Sequence, residues 1–306
     1  MKQIHPKRAS RVCRQYVHYF FNNYLPSLIP DKWYLKWYYK KVFGRELDLD
    51  NPKTLNEKIQ WLKLHDRNPL YHQLIDKYEA KKIIASKIGE EYVIPTLGIY
   101  DRFEEIDFDK LPNQFVIKCT HDAGSTILCK DKSKFNIDVA REKLKFAQRI
   151  DYYRVEGRQW GYKGIKPRII VEPYLEDESG YELKDYKLFC MNGEPEYVEV
   201  DFNRWIKHKL NPYDFDWNPL NFCDTSKNDY EANIPKPARL EDMRRIARIL
   251  SKDIPFVRVD FYSIYDKIYV GELTFYPGGG YIQFDPVETD LYYGQKLDLS
   301  KVQKRK

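Results

Sequence analysis

Nowhere in the 306 residues do apolar side chains run on for the ~20 positions that a bilayer-spanning helix needs, so no membrane crossing is expected. The first 30 residues open basic and turn aromatic, but His18, Asn22 and Asn23 interrupt any secretory hydrophobic core, so a signal peptide is not expected either. Cysteine is scarce. Cys13, Cys119, Cys129, Cys190 and Cys223 are odd in number and show neither a CxxC pair nor zinc-ligand spacing. They read as reduced thiols in a cytosolic protein, with none a nucleophile. The GxxxxGK(S/T) phosphate loop is missing, which excludes a Walker-type nucleotide site. Charge is not concentrated either: the net charge is +6, and outside the two ends there is no Lys/Arg tract of the kind nucleic-acid binders carry. No nucleic-acid partner is expected, and an acidic small or polymeric substrate suits the balance better.

What is present is an ordinary folded chain, 42% hydrophobic and long enough for two or three modest subdomains around a large core. Aromatic residues make up 16%, with 26 Tyr, a level that serves packing or the stacking of carbohydrate. The basic and aromatic N-terminal segment has two readings. It docks on its own domain, or it lies on the inner face of a membrane, where apolar burial and attraction to anionic lipid add.

The most informative stretch is 257–280, VRVDFYSIYDKIYVGELTFYPGGG. Two runs rich in β-branched and aromatic residues, 256–262 and 268–275, flank the five residues 263–267 and predict a hairpin. Each run carries one carboxylate, Asp260 and Glu272. With an odd number of residues in the connection, the two acids face each other across the ladder or on a diagonal. Two acids set among Val, Ile, Leu and Phe need a counter-charge, because an uncompensated buried carboxylate protonates instead. Magnesium is the natural one, taking one or two carboxylate oxygens and completing its shell with water and nucleotide phosphate. Thr274 adds an oxygen on the same face, and Pro277-Gly278-Gly279-Gly280 ends the strand in backbone that a substrate can approach closely. The competing reading is a hairpin with its charges in water.

Upstream, residues 31–43 predict a helix stopped by Gly44, and Thr54 with Glu57 forms a capping box for a second over 55–64. Residues 71–87 keep one helical period, followed by a short strand at 92–95. A strand over 113–120 carries Lys118 and runs into the small-residue loop 121–126, whose backbone donors beside a lysine suit phosphates or, equally, make a plain turn. A helix over 139–150 and a Tyr/Gly/Arg-rich loop over 151–166 precede a strand over 167–175 that stops at Glu172-Pro173, an edge able to recognise adenine. A hairpin turning at Asn192-Gly193 joins 184–190, with Asp185 and Lys187 on one face, to 196–202. A helix over 239–251 buries Leu240, Met243, Ile246, Ala247 and Leu250.

Together these pieces resemble an ATP-grasp fold, and in particular the TupA-like ATP-grasp family of bacterial surface-polysaccharide and teichuronopeptide biosynthesis. The resemblance is carried by PKTLNEKIQWLKL at 52–64, DKYEAK at 76–81, FVIKCTHDAGS at 115–125, VEPYL at 171–175, DYKLFCMNG at 185–193, and VRVDFY with GELTFYPGGG in the last hairpin. It implies an α+β protein in which two subdomains clasp ATP. A basic-aromatic helical extension spans 1–50, a helical lead-in 51–112, a small subdomain with the phosphate loop 113–175, a C-terminal subdomain with the metal site 176–300, and a basic tail 301–306. By resemblance Lys118 contacts ATP phosphates under the loop of Asp122, Gly124 and Ser125. Glu172, Tyr174 and Leu175 hold adenine, and Asp185 and Lys187 lie along ribose and phosphates. Asp260 and Glu272 bind magnesium, with Thr274 where the broad ATP-grasp pattern has Asn. Lys118, Lys187, Arg204 and Arg258 would neutralise the transferring phosphoryl group. The implied reaction activates a carboxylate as an acyl phosphate and passes it to an amine, with an acidic glycan or sugar-nucleotide substrate. Two rivals remain: a metal-dependent glycosyltransferase using Asp107-Phe108-Asp109 or Asp214-Phe215-Asp216, and a non-catalytic glycan-binding or membrane-associated scaffold.

Overall fold

The computed structural model describes residues 29–155, 157–204, 206–224 and 228–302. The segment 1–28, where domain docking or membrane contact was expected, lies outside the described residues, as do Cys13 and the tail beyond 302. The first helix, α1 (Asp31–Phe43), ends at Gly44 in the left-handed conformation. Thr54 starts α2 (Leu55–His65) through a complete capping box with Glu57. The periodic stretch 71–87, expected as one helix, is two, α3 (Leu70–Ile75) and α4 (Glu79–Ile88). Buried Asp76 accepts from the backbone N–H groups of Tyr78 and Glu79 at 2.9 and 3.0 Å, and this cap restarts the helix without disturbing the apolar period. The strand expected at 92–95 is not formed: Glu90–Tyr92 is a 3-10 turn, and Val93 makes an isolated bridge to Val270.

The chain continues through β1 (Gly98–Tyr100), β2 (Phe115–Cys119), β3 (Ile127–Cys129), α5 (Ile137–Gln148) and α6 (Tyr152–Val155), a helical turn inside the stretch expected as loop. Then follow β4 (Ile169–Pro173), β5 (Asp185–Met191), β6 (Glu194–Phe202), β7 (Lys209–Tyr213), α7 (Leu240–Ser251), β8 (Phe256–Ile264), β9 (Lys267–Thr274) and α8 (Glu288–Lys296). Among the described residues these strands make two antiparallel sheets, ordered β1-β4-β2-β3 and β7-β6-β5-β8-β9. The strand expected to offer an edge, β4, is therefore interior, paired on both sides; only its last residues run free of β1. The small sheet also takes β1 from ahead of the 113–175 span. Each sheet buries one face on a helix. Phe115, Ile117, Cys119, Ile169 and Val171 pack on Ala140 and Leu144 of α5. Leu188, Val198, Val259 and Phe261 join the apolar stripe of α7, made by the five residues expected. The opposite faces are left for the cleft.

The last hairpin differs from expectation in a way that matters. Its turn is the two residues Tyr265-Asp266, with Ile264 paired to Lys267, and that connection alone would set Asp260 against Gly271. The register slips by one between Asp260 and Phe261, Gly271 being the extra residue, and Asp260 comes opposite Glu272. Beyond β9, the turn Pro277–Gly280 lies against α2. Gly280 has φ 69°, and a Cβ there would fall 2.5 Å from Ile59 and 2.7 Å from Gln60.

Three polar side chains on one buried face of α2 hold this turn. Asn56 exchanges two 2.9 Å bonds with the backbone of Ile282, and Gln60 donates to the Gly280 carbonyl at 2.6 Å. The Lys63 ammonium, 1% exposed, donates to Gly157 O at 2.7 Å, Gly279 O at 2.5 Å and Gln60 Oε1 at 2.9 Å. A buried cation is tolerable here because acceptors surround it. Lys63→Met leaves those carbonyls unsatisfied and should lower unfolding stability by about 2–3 kcal/mol in urea titration. At the other edge of α2, a Cβ on Gly294 of α8 would sit 2.1 Å from the Lys53 carbonyl oxygen and 2.8 Å from Leu55 N, backbone that cannot step aside. Gly294→Ala should therefore cost ~1–3 kcal/mol, measured the same way.

Candidate active site

On the small sheet the cleft face of β2 and β4 carries Val116, Lys118, Ile170 and Glu172, because these alternate with the residues buried on α5. Glu172 is 4% exposed, and its carboxylate is clamped by two lysines: Lys118 at 2.6 Å and Lys81, from α4, in even closer contact. Burial works to raise the Glu172 pKa, and the fields of Lys118 and Lys81 overturn it, holding the carboxyl below its ordinary range. Lys118 responds in mirror image. Burial would lower it, but Glu172, with Glu272 and Asp185 from the facing sheet, raises it. In the loop 121–126, Ser125 Oγ donates to Asp122 Oδ1 at 2.7 Å and accepts from Cys119 N at 2.8 Å. Both expected loop side chains are thus turned inward to brace it. Lys77 donates to the Asp122 carbonyl, and Gly124 faces the cleft.

The large sheet opposes this with three cross-strand rows, two residues apart. In the first, Asp185 lies between Asp201 and Tyr262. Arg204, 45% exposed at the side chain, bridges Asp185 and Asp201, reaching the latter at 2.8 Å. In the second, Lys187 lies between Glu199 and Asp260, and Asp260 faces Glu272. The Lys187 ammonium is 2.5 Å from Asp201 and 3.6 Å from Glu199. In the third, Phe189 is followed by Arg258 and Thr274.

The expected counter-charge between the two acids of the hairpin is supplied by Arg258. Its guanidinium grips Asp260 at both oxygens, 2.6 and 2.5 Å, and reaches Glu272 at 3.6 Å and Thr274 Oγ1 at 3.2 Å. Burial nevertheless outweighs the arginine and pushes Asp260 up to about 7. Glu272 goes the other way. Burial would raise it, but its side chain opens 40% to the cleft, and Lys77, Arg258 and Lys118 pull it down. Glu199 is lifted to about 7 by burial, with Lys187 as its cationic neighbour.

Between the sheets lies a cavity of about 440 Å³. Lys118, Glu172 and Asp185 are in its wall with Arg204, Gly124, Tyr174 and Leu175, and Ile94, Leu183 and Tyr262 add apolar surface. A second cavity of about 260 Å³ adjoins Lys187 and Arg258 on the same sheet face, closed by Glu199, His208, Gly278 and Tyr281. Sequence reasoning did not single out Lys77, Lys81, Glu199, Asp201 or Tyr262. Strand alternation from Lys187 and Asp260 was the signal for the last three. Neither Asp-x-Asp pair lines these cavities. Asp107 caps its own turn on Asp109 N, and Asp214 caps Asn218 N. Cys119, Cys129, Cys190 and Cys223 are free thiols.

Among the described residues no three His, Cys, Asp or Glu side chains form a metal cage. The donor set of Asp260, Glu272 and Thr274 still fits magnesium, which needs one or two protein carboxylates when phosphate supplies the rest. Burial pushes the Asp260 pKa up despite Arg258, a strain that an added cation would relieve.

No curated protein matches the chain. Solved structures similar to it include D-alanine–D-alanine ligase from Bacillus anthracis (14% identity, 66% of this chain and 57% of that one, TM-score 0.39). The corresponding ligase from Helicobacter pylori is also similar (14%, 83% and 68%, TM-score 0.43), as is the D-cycloserine synthetase DcsG (14%, 77% and 72%, TM-score 0.39). The chain thus spans little more than half the length of the first of these. The sequence profile described as TupA-like ATP-grasp matches residues 57–298, from the capping box of α2 to the end of the last helix. The chain belongs to the TupA-like ATP-grasp family.

Proposed function

We propose that the protein is an ATP- and magnesium-dependent carboxylate–amine ligase of bacterial surface-polysaccharide synthesis, amidating a uronic acid with an amino acid or another amine. The observation that carries this reading is the middle row of the large sheet, where Lys187, Asp260 and Glu272 stand in register opposite the Lys118–Glu172–Lys81 clamp. The nucleobase takes the part of the larger cavity beside the free backbone that follows Glu172 through Tyr174 and Leu175. Ribose lies by Asp185, and the phosphates run toward Lys118 under the loop tip at Gly124. The second cavity, past Arg258, receives the acid and then the amine.

The chain's task is charge placement. Lys118, Lys187 and Arg258 hold the transferring phosphoryl group while a substrate carboxylate oxygen bonds to the γ-phosphorus and the bond to the bridging oxygen breaks, its electron pair leaving with ADP. The amine nitrogen then bonds to the acyl carbon, sheds a proton, and phosphate departs with the C–O pair. Asp260 and Glu272, with Thr274 beside them, would hold magnesium, which would supply positive charge at the phosphates. The glycosyltransferase reading has no comparable support, since neither Asp-x-Asp pair lines the cavities and Asp107 and Asp214 cap turns.

ADP release across a panel of uronic acids and amines tests the reaction. Asp260→Asn or Glu272→Gln should lower it by about 100-fold or more with an unchanged circular dichroism spectrum, and a normal rate in either variant would sink the assignment. A pH dependence follows from Asp260, whose pKa rises from 3.8 to about 7 on folding. Between those values the folded state holds a proton that the unfolded chain has released, so this group's contribution to stability falls as pH rises. Asp260→Asn removes that fall. In metal-free buffer its melting temperature should gain on the parent's from about pH 4 to about pH 8, and a constant difference would contradict the inferred titration.

A further inference from the structure

The outward face of α1 is not that of an ordinary solvated helix. Trp33 is 67% exposed and Trp37 50%, one turn apart. At about 100° per residue, Lys36 and Lys40 flank the two indoles on one side and Lys41 on the other. Lys41 lies over the Trp37 ring at 5.4 Å, and Lys40 is paired with Glu46. The helix carries four lysines and a single acid, Asp31. That acid faces inward, accepting from Tyr153 Oη at 2.5 Å with Arg158 at 3.5 Å. The outer arc of the helix itself therefore shows indoles and ammonium groups, with one exposed carboxylate, Glu46, beside Lys40.

The inner arc is anchored. Tyr34, Leu35 and Tyr39 are buried with Leu47 and Leu49, and Tyr38 meets Tyr281 edge-on at 4.8 Å. The exposed tryptophans are thus not an accident of a loosely attached helix. The 30 residues before α1 add five Lys/Arg (Lys2, Lys7, Arg8, Arg11, Arg14) and no Asp or Glu. Tryptophan prefers the headgroup level of a bilayer, and clustered lysines are drawn to anionic leaflets. We propose that α1 docks the protein on an anionic membrane surface, with Trp33 and Trp37 entering the headgroup layer and the surrounding lysines bound to lipid phosphate. No helix among the described residues is long and apolar enough to cross a bilayer, so this contact is peripheral. Tyr281 also borders the second cavity, so docking through α1 brings that end of the cleft near the bilayer.

The 306-residue chain is sedimented with phosphatidylcholine vesicles with and without phosphatidylglycerol. It should partition onto the anionic vesicles, with a blue shift of tryptophan emission and loss at high salt. Trp33→Ser with Trp37→Ser should weaken partitioning by about tenfold or more. Lys36→Glu with Lys41→Glu, which keeps both indoles, should abolish the preference for anionic lipid. Equal binding to both vesicle types, or binding that survives both double substitutions, overturns the proposal. So does light scattering in which the Trp variant turns a dimer into monomers with vesicle binding unchanged, since the face would then join two copies of the chain.

Discussion

One extra residue in β9 decides what the cleft can do. Without the slip at Gly271, the two-residue turn would send Glu272 to the face packed on α7, where a carboxylate has no partner. With it, Asp260, Glu272 and Lys187 share a row, and every neighbouring acid falls within reach of a cation. The result is a charged network in which paired acids are bridged by Lys187, Arg204 and Arg258. Its two weak points are Asp260 and Glu199, which burial carries to about 7 despite the cations beside them.

The rest of the molecule presents and supports that network. Each sheet commits one face to a helix, α5 or α7, and turns the other to the cleft, so the two polar faces meet across a gap instead of collapsing on each other. On the small sheet the same logic repeats in miniature. Glu172 gathers two buried lysines on one carboxylate; it lifts Lys118 above its ordinary range, whereas burial still holds Lys81 below its own. The glycine turn after β9 is shaped from behind by Asn56, Gln60 and Lys63, so α2 determines where the backbone at the second cavity lies. Buried polar groups with complete partner sets fix one geometry, because any displacement strands them.

Much of this was legible in the residues. The capping box at Thr54, the α7 stripe, the Asn192-Gly193 hairpin and the two acids of the last hairpin each follow from local chemistry that the fold leaves in place. Other features were hidden for physical reasons. Asp76 breaks a helix while the apolar period continues through it, so periodicity alone reads one helix. Gly271 inside a strand was the available sign of a bulge, but a five-residue turn also leaves the two acids on one face, on a diagonal, and so masked it. The α2 clasp escapes hydropathy reasoning because Gln60 and Lys63 look like solvent-facing residues until the turn they hold is known. The Asp-x-Asp pairs show the converse, a short pattern that lines neither cavity and whose Asp107 and Asp214 cap turns.

The central claim is that the charged row and the lysine clamp hold a nucleotide triphosphate together with a metal ion. Calorimetric titration of the protein with ATP, and separately with UDP-sugars, in the presence and absence of magnesium tests it most directly. The account predicts ATP binding that strengthens with magnesium and no comparable binding of UDP-sugars. Metal-dependent binding of a UDP-sugar with none of ATP would contradict it.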